Sequence, residues 1–110
     1  MIKGHQIERK EGVETFLARV KYFQNNDIEC TAHTFFRLSE KQRKLFKCEH
    51  IKEIILHSAP LLVGIQYNSN YAVFYDFTQN MALKIIMEIM PTKIEVVTFM
   101  ILGKSQIPKL

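Results

Sequence analysis

The sequence predicts an α+β domain two layers thick, with N-terminal helices packed on a four-stranded antiparallel meander sheet. Three observations carry that prediction. Before Pro60, apolar residues recur at three- and four-residue spacing, the period of a helix with one buried face. After Pro60 the texture changes to runs of β-branched and aromatic residues, one of them alternating with period two. The gaps between these runs are a few residues long, and connections that short join antiparallel neighbours. A chain of 110 residues has apolar surface for one core, and dividing it would leave neither part enough to bury. Residues 1–110 therefore read as a single domain.

Taken in order, residues 1–10 show little periodicity and read as an extended or frayed lead-in. From Glu11 to Gln24, the residues Val13, Phe16, Leu17, Val20 and Phe23 share one face of a first helix. Asn25, Asn26 and Asp27 stop it, because their short polar side chains compete for backbone hydrogen bonds. A brief extended piece, Ile28-Glu29-Cys30, follows. Between Ala32 and Phe46, Phe35, Leu38, Leu45 and Phe46 fall at helical spacing. This segment is one amphipathic helix, or two short helices broken near Ser39, where Ser39 and Gln42 match a capping box. A helix from Glu49 to Ser58 turns Ile51, Ile54 and Ile55 inward, and Pro60 ends it. Four strands follow: LLVGIQY, YAVFYDF, MALKIIMEI and IEVVTFMIL. In the third, Met81, Leu83, Ile85, Met87 and Ile89 form an apolar face for the helices to cover, while Ala82, Lys84, Ile86, Glu88 and Met90 form a mixed one. The tail GKSQIPKL reads as loose.

Hydrophobic residues at 47% and charged ones at 24% place the chain among globular rather than disordered sequences. The formal charge of +4 favours an acidic partner, and Lys41, Arg43, Lys44 and Lys47 concentrate it in one segment. The opening residues lack the apolar core of a secretion signal, and the longest apolar runs are too short to span a bilayer. A cytoplasmic protein with no membrane partner is expected, and Cys30 and Cys48 accordingly read as free, packed thiols. Cys30, His33, Cys48 and His50 offer zinc-type ligands as C-x-x-H and C-x-H. One intervening residue rarely aims two side chains at one ion, so no metal site is expected. Glycine-rich phosphate loops, a serine nucleophile elbow and paired carboxylates are all missing, and no cofactor is expected.

On a helix spanning Ala32 to Phe46, His33, Arg37, Lys41 and Lys44 would lie four, four and three residues apart, in one stripe. Such a stripe suits a polyanion, since each cation can meet a phosphate; it also suits a solvated helix face with Glu40 nearby. His33 is the best acid or base candidate, because its proton moves near neutral pH and a helix start would make it a better base. Tyr67, Tyr71 and Tyr75 offer rings on which bases stack, or else core and cross-strand packing.

The pieces Ala32-His33-Thr34-Phe35-Phe36-Arg37, EHIKEIILHSAP, NYAVFYDF and IEVVTFMIL together resemble the uncharacterised small-domain branch of the RelE/ParE-like toxin superfamily. The likeness rests on His33 four residues before Arg37, on Pro60 closing a helix, and on Val97-Thr98-Phe99 in the last strand. It covers about residues 28–102 and leaves the helix at about 11–24 as an addition. The resemblance implies a RelE-like fold and a small toxin that cuts RNA, on the ribosome or alone, neutralised by an antitoxin. Here the last strands offer only Lys84 and Lys93, fewer cations than the best-known ribonucleases of that superfamily carry.

Two functional expectations follow. In the first, the chain is a metal-independent endoribonuclease: His33 takes the proton from a 2'-hydroxyl, Arg37 stabilises the phosphate, Lys41 and Lys44 hold the backbone, and Tyr67 or Tyr75 orients a base. In the second, the same residues form a non-catalytic module that binds nucleic acid or protein. A homodimer through the mixed sheet face is a further possibility.

Overall fold

The computed structural model describes residues 6–110. Its centre is a six-stranded sheet in the spatial order β1 (Ile7–Glu11), β3 (Leu62–Gln66), β4 (Tyr71–Asp76), β5 (Met81–Ile89), β6 (Ile94–Gly103) and β2 (Ile28–Cys30). Strands β3 (Leu62–Gln66), β4 (Tyr71–Asp76), β5 (Met81–Ile89) and β6 (Ile94–Gly103) form the expected antiparallel meander. Two edge strands make the sheet larger than four. Strand β1 (Ile7–Glu11) arises from the lead-in and pairs antiparallel with β3. Strand β2 (Ile28–Cys30) is the short extended piece and pairs parallel with β6, so the sheet is mixed rather than purely antiparallel. The rest of the lead-in, residues 1–5, lies outside the described residues.

Helix α1 (Val13–Val20) is shorter than the expected 11–24, and it buries Phe16 and Val20. Helix α3 (Cys48–His57) buries Ile51 and Ile55. Both pack on one face of the sheet, where Val63, Val73, Leu83, Ile85, Met87, Val96 and Phe99 close the main core. The alternation of β5 therefore points the way the sequence implied. At Gly64 the partner strand comes so close that a Cβ would lie 2.8 Å from the Ile7 side chain, which caps that part of the opposite face. The C-terminal tail is not loose: after a turn of 3-10 helix at Lys104–Gln106, Ile107 packs against a second apolar cluster of Leu62, Ala72, Phe74 and Ile86 on this opposite face.

Two further expectations are corrected. Residues 32–37 are not helical; they form successive turns, with Phe36 N–H bonded to His33 O at 3.0 Å and Leu38 N–H to Phe35 O at 3.1 Å. The cause is Thr34, whose hydroxyl donates to Val96 O at 2.8 Å and whose carbonyl accepts from Phe99 N–H at 2.9 Å. These bonds hold the segment against β6 beyond the end of β2, a geometry a continuous helix cannot meet. Only α2 (Glu40–Leu45) is helical, and it opens on the Ser39–Gln42 capping box. Lastly, Cys30 and Cys48 are not free thiols but a disulfide, with Cα atoms 6.1 Å apart, inside the span such a bond bridges. Strand β2 ends where α3 begins, which brings the sulfurs together; with them joined, the cysteines no longer argue for a reducing compartment. No helix among the described residues is long and apolar enough to cross a membrane.

Candidate nucleic-acid interface

The helices do not reach the opposite sheet face, which Ile7 and the C-terminal tail cover in part, and the residues there follow from register. Leu62, Phe74, Lys84 and Met100 form one row across four strands, and Gly64, Ala72, Ile86 and Thr98 form the next. Between Ile86 and Met87 the pairing with β6 shifts by a residue, because Val97 is an extra residue in that strand. A bulge of this kind bends a strand and turns two successive side chains to one side. Val97 and Thr98 thus both border a hollow of about 360 Å³ on this face.

Two cations converge on the hollow from distant parts of the chain. Lys84 rises from β5, half-buried, its ammonium 5.6 Å from the centre of the Phe74 ring. Arg37 comes from the turns beyond β2 and is exposed. Burial first, and the charge of Arg37 second, lower the Lys84 pKa from its ordinary value. Arg37 is set in place by its neighbours: Thr34 pins the turns to β6, and the Arg43 guanidinium donates to Phe35 O at 3.1 Å and to Phe36 O at 3.2 Å. Gln66, Asn68 and Asn70 close the other end, with Ile86 and Met100 in the walls.

Of the residues named from the sequence, the structure brings Arg37 to this hollow and leaves the others elsewhere. His33 is exposed in the turns, its ring edge-on to Phe36 at 6.3 Å, and it does not line the hollow. It also lacks a helix dipole behind it, since residues 32–37 are turns. Lys41 and Lys44 share the exposed side of α2. The four-residue stripe thus dissolves into three separate places. Tyr67 is 47% exposed, and its N–H donates to Gln6 O at 3.0 Å. Tyr75 is corrected as a stacking residue, because it is 1% exposed within the helix-side core. Tyr71 packs on Phe16 in that core. No cluster of three metal-ligating side chains occurs among the described residues, and the disulfide removes both thiolates from the Cys–His set.

The signal for Lys84 was present in the sequence as one cation in an otherwise apolar strand. Such a residue must reach solvent or a partner on its own face. For Gln66, Asn68 and Asn70 no such signal existed, because amides around a hairpin read equally well as turn chemistry. No family model, curated protein or solved structure matches the chain.

Proposed function

We propose that the chain binds single-stranded RNA in the hollow on the sheet face opposite the helices and cleaves it. A 2'-oxygen attacks the adjacent phosphorus, the bond from phosphorus to the 5'-oxygen breaks, and that oxygen takes a proton from water, leaving a 2',3'-cyclic phosphate and a 5'-hydroxyl end. The observation that carries this reading is the convergence of Arg37 and Lys84 on one hollow. Arg37 keeps its charge at any working pH and can take a phosphate through two parallel N–H bonds. Lys84 gives up its proton more readily than an ordinary lysine, which suits it to accept the 2'-hydroxyl proton while Arg37 stabilises charge on the phosphate. Lys84 here takes the role that the sequence suggested for His33. The likeness to RelE/ParE-type toxins supports the same reaction class and, with it, an antitoxin partner.

A non-catalytic RNA-binding module is the second reading, favoured by the placement of His33 away from the hollow. Arg37→Ala and Lys84→Met separate the two. For a nuclease, both variants lower cleavage of a labelled RNA at least tenfold, His33→Ala leaves it within about twofold, and the wild-type rate rises with pH to an inflection below the ordinary lysine value of about 10.4. For a module, RNA stays intact while the same two variants lose binding. RNA that neither binds nor breaks with wild-type protein would sink both readings.

A further inference from the structure

The two ends of the hollow differ in chemistry, and the register sets how far apart they are. Lys84 and Ile86 stand on the same face two residues apart, with Glu88 the next position along. Asn70 lies one position beyond the Tyr71–Met87 pair and so faces Glu88. From the Lys84 row to the Asn70 row the backbone therefore runs about 13 Å, four residues of strand. At one end are Arg37 and Lys84; at the other are the carboxamides of Gln66, Asn68 and Asn70; between them the largely buried Ile86 and the bulged Val97 and Thr98 form the wall. Gln66 is 4% exposed, so its amide is held in a fixed position. The Asn68 side-chain oxygen accepts from Asn70 N–H at 3.0 Å, which fixes the turn that carries Asn70.

Resting on the reading of this hollow as an RNA site, we infer that it selects its substrate by base, holding one adenine nucleotide with the phosphate at the Arg37–Lys84 end and the base at the carboxamide end. The order of the two groups follows from charge. The register puts the Glu88 carboxylate on the far row, outside the lining but on the same side. A phosphate there would be nearer a like charge, whereas Arg37 and Lys84 receive it at the near end. The span favours a purine, because a pyrimidine held at the same phosphate stops short of the amides. Among purines the donor–acceptor pattern decides. A carboxamide offers one donor and one acceptor, which match the N6 amino group and N7 of adenine. Guanine presents two acceptors on that edge, O6 and N7, and sets one of them against the amide oxygen. Unstacked bases in single strands leave such edges open to side chains.

The test is calorimetric titration of the full chain with the four nucleoside 5'-monophosphates and with inorganic phosphate, repeated with homopolymeric single-stranded RNAs so that weak monomer binding does not hide a preference. The expected result is adenylate tightest, about tenfold over uridylate. Asn70→Ala should reduce that ratio to under about twofold while leaving inorganic phosphate binding unchanged, and Asn70→Gln, which restores an amide, should recover part of it. Equal binding of all four bases, a guanine preference, or an adenine preference that survives Asn70→Ala would overturn base selection. If Arg37→Ala still weakens binding in those cases, the RNA site itself stands. Failure of every monophosphate and every homopolymer to bind would remove the site and the selection together.

Discussion

Tyr75 and Lys84 show at the scale of single residues how burial on the two faces of one sheet has opposite uses. Tyr75 points to the helix side, where its hydroxyl is buried and has no hydrogen-bond partner among the described residues. An unpaired buried hydroxyl costs about 1–3 kcal/mol, so Tyr75→Phe should leave stability unchanged or raise it by about 1 kcal/mol. Burial also holds the phenol pKa above its ordinary value. The sign of the consequence follows. Below about pH 10 the folded and unfolded chains both keep the proton, and Tyr75 adds no pH dependence. Above that pH the unfolded chain ionises first, so the native state loses stability as pH rises. Urea denaturation at about pH 9 and pH 11 should show a steeper loss for the wild type than for Tyr75→Phe; equal losses would mean that the phenol reaches water. Lys84, by contrast, is half-buried beside a hollow, where the proposed cleavage would use a cation made easier to deprotonate.

At the scale of elements, the disulfide and Thr34 act on one segment from two sides. The Cys30–Cys48 bond closes a loop with a sequence separation of 18 that contains the turns, Arg37 and α2. Loop-closure entropy for that length is worth about 3 kcal/mol. Reduction, or the double change Cys30→Ser with Cys48→Ser, should lower unfolding free energy by about that amount, read as a shift in the urea midpoint with and without a thiol reductant. RNA affinity should fall less than in Arg37→Ala, because Thr34 and Arg43 still hold the turns. These elements also mark what the sequence could reveal. The meander, α1, α3 and the Ser39 cap were legible because each is set by local period or local capping. Strand β1 was hidden because its residues, Ile7-Glu8-Arg9-Lys10-Glu11, are mostly charged and become a strand only through the β3 edge. The turns at 32–37 were hidden for the same reason: their apolar spacing is helical, and it is the Thr34 bonds to β6 that override it.

If the proposed RNA reading holds, the question for the whole molecule is how much of the +4 charge engages the strand. The sequence placed it on one continuous stripe, but the fold splits it between the hollow, with Arg37 and Lys84, and the exposed side of α2, with Lys41 and Lys44. Those two arrangements differ in salt dependence. For single strands the slope of log K against log salt is about −0.7 per phosphate neutralised, so one phosphate held between Arg37 and Lys84 gives about −0.7, and engagement of Lys41 and Lys44 as well gives about −2.1. The hollow is the concave site and α2 is a short convex helix, so the smaller slope is the expected one. Charge reversal at Lys41 and Lys44 should then change affinity by less than about threefold and leave the slope at about −0.7, since exposed charges that contact no phosphate are largely screened by salt. A slope of about −2.1 that falls in magnitude when α2 is reversed would instead extend the RNA path from the sheet onto the helix. In that case the basic edge seen in the sequence would serve as the track that feeds a strand to Arg37.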